Sequence, residues 1–228
     1  MSAPDSNIRA NARVALIALT ASTASLDVTA FLRLGGVFAS VMTSNLVFVS
    51  IAAVKTEAGF GARCAVAILS FVVGVGAGSA IAPPSGHENR LGTRPLSLLL
   101  TGELTILVGY AIWWMTVGGH PKGWTQLVLL GAIACAMGGQ SAATRQLGNP
   151  NASTTYLTGT VTSIASSIAA RHRPDPEAVA VILALLAGAA AGVGLLDAAP
   201  ITVPLLALAG VGTTVALSWR IATVAPAS

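Results

Sequence analysis

Long uncharged apolar runs alternate with short charged linkers through almost the whole chain. Each run is close to the ~20 residues that an α-helix needs to cross the ~30 Å hydrocarbon core of a bilayer. Two of them, 36–54 and 153–170, are short, and each is predicted either to cross at a tilt or to re-enter and leave on one side. The predicted hydrophobic segments are 12–33, 36–54, 62–82, 95–117, 124–145, 153–170, 178–197 and 199–220.

These segments predict an all-α fold, a polytopic transmembrane helix bundle with six to eight membrane-embedded segments. We expect a loose polar tail at 1–11, a single transmembrane domain at 12–220 and a C-terminal tail at 221–228. The first segment also has features of a signal peptide, because a basic residue precedes a short apolar run. The next apolar run follows at once, which favours a retained helix.

The composition favours a membrane protein over a soluble one. Apolar residue types make up 54% of the 228 residues, charged residues make up 9%, and the mean hydropathy is +0.78. Soluble domains carry about 25% charged residues, so we expect the lipid bilayer as solvent and partner. The net charge of +4 is spread over the linkers, which argues against a nucleic acid partner. Cys64, Cys135 and the three histidines lack ligand spacing, so no metal or cofactor is expected.

The basic residues also predict an orientation. If all eight segments cross, the side that holds the N-terminus carries 8 of the 12 Lys and Arg residues and the other side carries 4. Because positive residues favour the cytoplasmic side, both termini are predicted to be cytoplasmic. The richer side holds Arg9, Arg13, Lys55, Arg63, Lys122, Arg171, Arg173 and Arg220, and the other holds Arg33, Arg90, Arg94 and Arg145.

A weak internal repeat relates the two halves of the domain, about 12–117 and 124–220. At an offset of 115 residues Thr43 falls on Thr158, and two small-residue helices of equal length also align. Four crossing segments in each half would give a parallel repeat. Two short re-entrant segments would leave three crossings in each half, and the repeat would then be inverted.

Three motifs resemble those of the YoaK family of bacterial membrane proteins, also called the DUF1275 family. They are Asp27 followed by Phe31, Phe38-x3-Met-Thr-Ser-Asn45, and Ala136-Met-Gly-Gly-Gln140 followed by Thr154-Thr-Tyr-Leu-Thr-Gly159. The resemblance implies a multi-pass protein of the bacterial inner membrane, of a family whose biochemical function is not established. Ser44 replaces a glycine of the family pattern and Ser141 replaces an asparagine, which puts any site that needs those residues in doubt.

Glu103 is the first candidate for function, since it lies about nine residues into the 95–117 segment, ~12 Å along the helix axis. A carboxylate at that depth costs several kcal/mol unless it is protonated, paired or hydrated. One interpretation is a proton or cation site that faces the bundle interior. The other is a neutral acid that hydrogen-bonds to a neighbouring helix.

Further polar residues occur at membrane depth. Asp27 either pairs with Arg33, six residues later, or faces a cavity. The remaining candidates are Thr43, Asn45, Gln140 and Thr158. We expect these to meet at the repeat interface, either around a transport pathway or in hydrogen bonds between helices.

Glycines and tryptophans are expected to be structural. The spacings Gly74-x3-Gly78 and Gly188-x3-Gly192 predict close helix packing, because small residues let two backbones approach. The four tryptophans lie at predicted helix ends, as residues that anchor a helix at the membrane interface would.

The leading functional hypothesis is a small-solute or ion transporter with a pathway between two repeated halves. The alternative is a non-transporting membrane scaffold or regulatory protein, with every polar group paired and a small-residue face turned to lipid. An enzyme is not expected, since the sequence has no recognisable catalytic motif. The transporter hypothesis predicts that Glu103, Asn45, Gln140 and Thr158 line one continuous cavity. A small solute or a proton is the expected ligand.

Overall fold

The computed structural model describes residues 3–81, 93–146, 157–171 and 175–224. Within these ranges the chain is helical and has no strand, so the all-α prediction is confirmed. The helices are α1 Ala3–Arg33, α2 Met42–Lys55, α3 Ala58–Ile81, α4 Arg94–Thr116, α5 Trp124–Gln146, α6 Leu157–Arg171, α7 Pro176–Ala198 and α8 Val203–Val224. A short 3₁₀ turn, Pro200–Thr202, joins α7 to α8.

The expectation of a loose tail at 1–11 is wrong for most of that segment, because α1 begins at Ala3. Pro4 stands in the first turn, where a helix does not need the missing N–H group.

Six of the helices, α1, α3, α4, α5, α7 and α8, are long and apolar enough to cross a membrane. The other two are shorter, with 14 residues in α2 and 15 in α6. Of the six spans, α1 and α5 have the most buried sequence, and they form the centre of the bundle. The chain is therefore an integral membrane protein with at least six spans in its described part.

The first end of the bundle holds the start of α1 and the end of α8, and we call it the terminal face. Arg13 of α1 lies 3.5 Å from the carboxylate of Glu177 in the first turn of α7. The indole N–H of Trp219, near the end of α8, donates to Thr101 near the start of α4 at 3.1 Å. The starts of α1, α4 and α7 and the end of α8 thus share the terminal face.

The other end, which we call the opposite face, holds the end of α1. The side-chain amide of Gln126, at the start of α5, donates to the carbonyl of Arg33 at 3.0 Å. The guanidinium of Arg33 donates in turn to the carbonyl of Leu196 in the last turn of α7 at 3.2 Å. The indole N–H of Trp114 donates to the carbonyl of Pro200 at 2.7 Å, which joins the end of α4 to the start of α8.

These contacts fix the direction of every span. Helices α1, α4 and α7 run from the terminal face to the opposite face, and α5 and α8 run back. Helix α3 begins at the opposite face, because Arg63 in its second turn donates to the carbonyl of Gly35, just after α1 ends. Helix α2 therefore lies between the end of α1 and the start of α3, which are both at the opposite face. Helix α6 lies between the end of α5 and the start of α7, which are both at the terminal face. Each short helix returns to the face from which its segment came.

Asp27 holds the loop that leads into α2 inside the bundle. One carboxylate oxygen accepts the N–H groups of Ala39 and Ser40, each at 2.8 Å. The other oxygen accepts the Ser40 hydroxyl at 2.5 Å. Because Asp27 lies six residues before the end of α1, the loop dips ~9 Å back from the opposite face. The segment 34–55 is therefore re-entrant.

Asn45 closes the same loop. Its side-chain amide donates to the carbonyl of Phe38 at 2.7 Å and accepts the N–H of Phe38 at 3.0 Å, as a paired β-strand residue would. Stacked rings continue the packing, since Phe38 lies between Phe31 and Phe48 at centroid distances of 5.1 and 6.2 Å. Asp27 and Asn45 thus both pair with backbone groups that would have no hydrogen-bond partner in lipid.

Glycines set the two closest helix crossings. A Cβ at Gly74 of α3 would overlap the carbonyl oxygen of Cys135 in α5. A Cβ at Gly188 of α7 would overlap the carbonyl oxygen of Ala21 in α1. These small residues face the bundle interior rather than lipid, and they let the backbones touch.

Trp114 corrects the expectation that all four tryptophans are interfacial anchors. Its side chain is fully buried, and its indole N–H donates to the carbonyl of Pro200. A buried indole needs such an acceptor, which the exposed carbonyl of a helix junction supplies.

We predict that Gly74→Ala and Gly188→Ala each destabilise the bundle by about 1–3 kcal/mol, the usual cost of overpacking. The added methyl group meets backbone atoms that cannot move independently. Thermal melting in detergent measures the loss. Gly76→Ala and Gly194→Ala are matched controls on the same helices, because a Cβ there meets nothing within 4 Å. Equal melting temperatures for all four variants would contradict the packing role.

We also predict that Asn45→Ala costs about 1–3 kcal/mol, because it leaves the N–H and carbonyl of Phe38 without partners. Thr43→Ala, two residues away at an exposed position, should change stability by less than about 0.5 kcal/mol. Equilibrium unfolding in mixed micelles compares the two. A neutral Asn45→Ala variant would show that the loop does not depend on this amide.

Candidate functional site

The candidate polar residues separate into two groups. Asp27 and Asn45 are committed to the re-entrant loop, and Thr43 is exposed on α2. The expected alternative of an Asp27–Arg33 pair is not formed, because the Arg33 guanidinium donates to the carbonyl of Leu196. The side chain of Thr158 lies outside the described residues. Asp27, Asn45 and Thr43 do not form a common cavity with Glu103, since their polar atoms have other partners or face outward.

Glu103 differs from these residues in its burial and in its hydrogen bonding. Its side chain is 3% exposed, in the middle of α4, and neither carboxylate oxygen has a hydrogen-bond partner among the described residues. Basic residues on the neighbouring spans occur only near the helix ends, as Arg13, Arg33, Arg145 and Arg220. The described spans therefore bring no positive side chain to its depth.

Gln140 of α5 is the second residue of the site. It is 1% exposed, its Oε1 lies 3.2 Å from the hydroxyl of Thr23 in α1, and its Nε2 has no described partner. Gly139, beside it in sequence, faces α4, because a Cβ there would lie 3.8 Å from Leu99, an ordinary contact distance.

The register of α4 and α5 places Gln140 and Glu103 at different depths. The rings of Trp113, near the end of α4, and Trp124, at the start of α5, lie 5.3 Å apart. A Cβ at Gly139 would lie 3.8 Å from Leu99. Because the two helices run in opposite directions, Gln140 lies level with Ser97 and Leu98, ~7 Å nearer the terminal face than Glu103.

Two further polar residues of α4 were missed in the sequence. Ser97 and Tyr110 are buried, and neither hydroxyl oxygen has a hydrogen-bond partner in the described part of the chain. Tyr110 lies seven residues after Glu103 on the same helix face, ~10 Å nearer the opposite face. A period of seven from an intramembrane acid is the sequence signal that could have identified Tyr110. Nothing comparable marked Ser97.

Most other buried hydroxyls bond within their own helix. Thr20, Thr23 and Thr29 each donate to the carbonyl four residues earlier, at 2.7–2.9 Å. Buried polar groups are normally satisfied in this way, so unpaired atoms that are concentrated on one helix call for an explanation.

Chemically, the arrangement can bind one positive charge. An anion with no partner in hydrocarbon is unstable, so Glu103 holds a proton or a cation, or it meets water that enters the bundle. One open groove among the described residues lies elsewhere, between α1 and α7 at the terminal face, and its lining includes Arg13, Ile17 and Ala180. None of the candidate residues lines that groove.

Comparison with known proteins agrees with the motifs. No curated protein and no solved structure matches the chain. One family model, described as a protein of unknown function (DUF1275), matches residues 15–218, which is most of the chain and all six spans. The chain therefore belongs to the DUF1275 family.

Proposed function

We propose that the protein is a transporter that moves a small solute or ion across the bacterial inner membrane and that Glu103 is its proton or cation site. The observation that carries the proposal is the buried carboxylate with no described partner in the middle of α4. Ionisable residues inside a membrane are costly and mark ion pathways, proton relays and substrate sites. A scaffold protein would gain nothing from keeping this cost.

We infer that an inverted internal repeat relates the two halves, and such a repeat would support the proposal. At an offset of 114 residues, one less than the offset that aligns Thr43 with Thr158, Gly74 corresponds to Gly188 and Ala21 corresponds to Cys135. The contact of Gly188 with the Ala21 carbonyl is then the counterpart of the contact of Gly74 with the Cys135 carbonyl. The first half begins at the terminal face and the second at the opposite face, so the two would have opposite orientations in the membrane.

The two halves would also be interlocked. Helix α1 of the first half packs on α7 and α8 of the second, and α5 of the second packs on α3 and α4 of the first. If the two halves are exchanged, the contacts of α1 with α7 and α8 correspond to the contacts of α5 with α3 and α4. Inverted repeats of three spans with short re-entrant segments are an architecture of secondary transporters, in which one half moves against the other around a site at mid-depth. Glu103, in the middle of α4, lies near that depth.

The charge distribution gives the orientation. With six spans the residues at each face change, but the terminal face still carries 8 of the 12 Lys and Arg residues. By sequence position the terminal face holds Arg9, Arg13, Arg90, Arg94, Arg145, Arg171, Arg173 and Arg220, and the opposite face holds Arg33, Lys55, Arg63 and Lys122. Both termini are then cytoplasmic.

Reporter fusions test this orientation. We expect a fluorescent protein fused after Ser228 to fluoresce in the cytoplasm, and an alkaline phosphatase at the same position to be inactive. A phosphatase inserted at Pro121, in the loop between α4 and α5, should be active. Activity of the phosphatase at Ser228 would contradict the proposed orientation.

Transport is tested by reconstitution in liposomes that contain a pH-sensitive dye, with a panel of solutes and ions added outside. We expect at least one gradient to drive proton movement through the native protein. Glu103→Gln keeps the size of the side chain but removes its titration, so it should abolish this movement. Glu57→Gln, which changes an exposed glutamate at the opposite face, should transport like the native protein.

A second substitution separates transport from folding. Glu103→Leu replaces an unpaired buried acid by an apolar side chain, so it should keep or raise the melting temperature while flux is lost. A lower melting temperature together with proton movement that survives in Glu103→Gln would show that Glu103 is structural, and its assignment as the proton or cation site would fail.

A further inference from the structure

The groove at the terminal face lies where α1 and α7 separate. The two helices run in the same direction, and their backbones touch where Gly188 meets the carbonyl of Ala21. Because packed helices cross at an angle, they diverge on either side of the contact. Leu16 and Val181, which pack together as a buried pair, form the floor of the wedge that opens toward the terminal face. The groove therefore follows from the crossing itself.

The other close crossing is filled at the corresponding place. Helices α3 and α5 also run in the same direction, and they touch where Gly74 meets the carbonyl of Cys135. One turn earlier in α5, a Cβ at Gly131 would lie 3.2 Å from the hydroxyl of Ser70 and 3.6 Å from a methyl carbon of Val66. Side chains of α3 thus occupy the space between those two helices, whereas the space between α1 and α7 stays open.

The groove is apolar inside and charged at its mouth. Its volume is ≈ 150 Å³, and its apolar walls include Ile17 of α1 and Pro176 and Ala180 of α7. Ile17 is 40% exposed, so the groove opens sideways to the lipid. Arg13 and Glu177 lie at the mouth, and the Arg13 side chain is 65% exposed. A cavity of about 150 Å³ can hold a molecule the size of benzene, so the groove has room for a segment of an acyl chain.

The guanidinium of Arg13 is available to an anion. Its Nε lies 3.5 Å from a carboxylate oxygen of Glu177, which is longer than a good N–H···O hydrogen bond. Its two terminal nitrogens have no partner among the described residues. Glu177 lies in the first turn of α7, where the positive end of the helix dipole also stabilises its charge. The pair thus holds the guanidinium at the mouth and leaves most of its N–H donors unused.

We propose that this groove binds one anionic phospholipid, with a segment of an acyl chain between Ile17 and Ala180 and the headgroup phosphate on Arg13. A planar guanidinium with free donors matches the geometry of a phosphate, and the apolar walls match the chain. Glu177 is the competing group, because its carboxylate shares Arg13 and repels the phosphate. The site is separate from Glu103 and goes beyond the proposed transport.

The charge of the terminal face favours an anionic lipid over a zwitterionic one. Two acidic side chains described at this face lie at the start of α7, where Asp175 caps the helix and accepts the N–H of Glu177 at 3.0 Å. The described basic side chains of the spans outnumber them at this face, and they are Arg13, Arg94, Arg145 and Arg220. Basic residues beside a membrane attract anionic headgroups.

Native mass spectrometry of the detergent-purified protein tests the proposal, with phosphatidylglycerol and phosphatidylcholine of identical acyl chains as probes. The native protein should bind the first phosphatidylglycerol more tightly than the first phosphatidylcholine. Arg13→Gln should weaken phosphatidylglycerol binding about fivefold, the effect of one basic residue near a membrane surface, and should change phosphatidylcholine binding less. Arg94→Gln is the matched control, because it removes another exposed arginine of the same face and should leave both affinities unchanged.

Two further substitutions distinguish a lipid site from a structural ion pair. Glu177→Gln removes the competing carboxylate, so it should tighten phosphatidylglycerol binding by a similar factor. Ala180→Phe fills the groove and should weaken the binding of both lipids. Ala187→Phe, two turns later at an exposed position of α7, should not. Melting curves establish that each variant is folded, and Ala180→Leu is the smaller filling variant if the phenylalanine unfolds the protein.

Three results would overturn the proposal. Equal effects of Arg13→Gln and Arg94→Gln would remove the phosphate from Arg13, and a loss of affinity in Glu177→Gln would make the ion pair structural. Lipid binding that neither Ala180→Phe nor Ala180→Leu changes would place the lipid elsewhere. Inorganic phosphate should not displace the lipid, because it has no acyl chain, and displacement would indicate a site for free phosphate instead. Flux in liposomes plays no part in these outcomes, so they stand apart from the test of transport.

Discussion

The hydrocarbon core of a membrane offers no hydrogen-bond partner, and the rest of the structure depends on this constraint. A helix satisfies its own backbone, but a break in a helix at membrane depth must be paired by side chains. The loop before α2 is such a break. Asp27 pairs the N–H groups of Ala39 and Ser40, and Asn45 pairs both backbone groups of Phe38. Asp27 and Asn45, which belong to two of the three motifs, thus hold the re-entrant segment.

The same environment explains the glycine crossings. Lipid tails are as apolar as leucine, so helices in a membrane associate through close packing rather than through the hydrophobic effect. Gly74 and Gly188 bring two pairs of backbones into contact, and each pair joins a central helix to a peripheral one. These crossings hold α1 and α5 at the centre of the bundle, where the hydroxyl of Thr23 meets the side-chain amide of Gln140.

Buried polar groups are normally hydrogen-bonded, and Glu103 departs from this rule among residues that mostly follow it. The buried threonines of α1 bond to their own helix, and Asp27 accepts three hydrogen bonds. A carboxyl group with two oxygens that lack described partners is costly unless it exchanges a proton or a cation. A proton bound to Glu103 would remove the cost in one state of the site, and its release would restore the cost in the other. That difference is what coupling to a gradient requires.

The sequence by itself determined the membrane class, the helical fold, the approximate helix bounds and the family, because runs of apolar residues of a fixed length have one stable arrangement in a bilayer. It also identified Glu103, whose depth follows from counting along one helix. The tertiary structure alone decided that the short segments return to the face from which they came, that Asn45 binds the backbone rather than a ligand, and that Thr23 of α1 meets Gln140 of α5. Those outcomes depend on which helices touch and in what register. Hydropathy has the same value on every side of an apolar helix, so the sequence does not contain that information in a readable form.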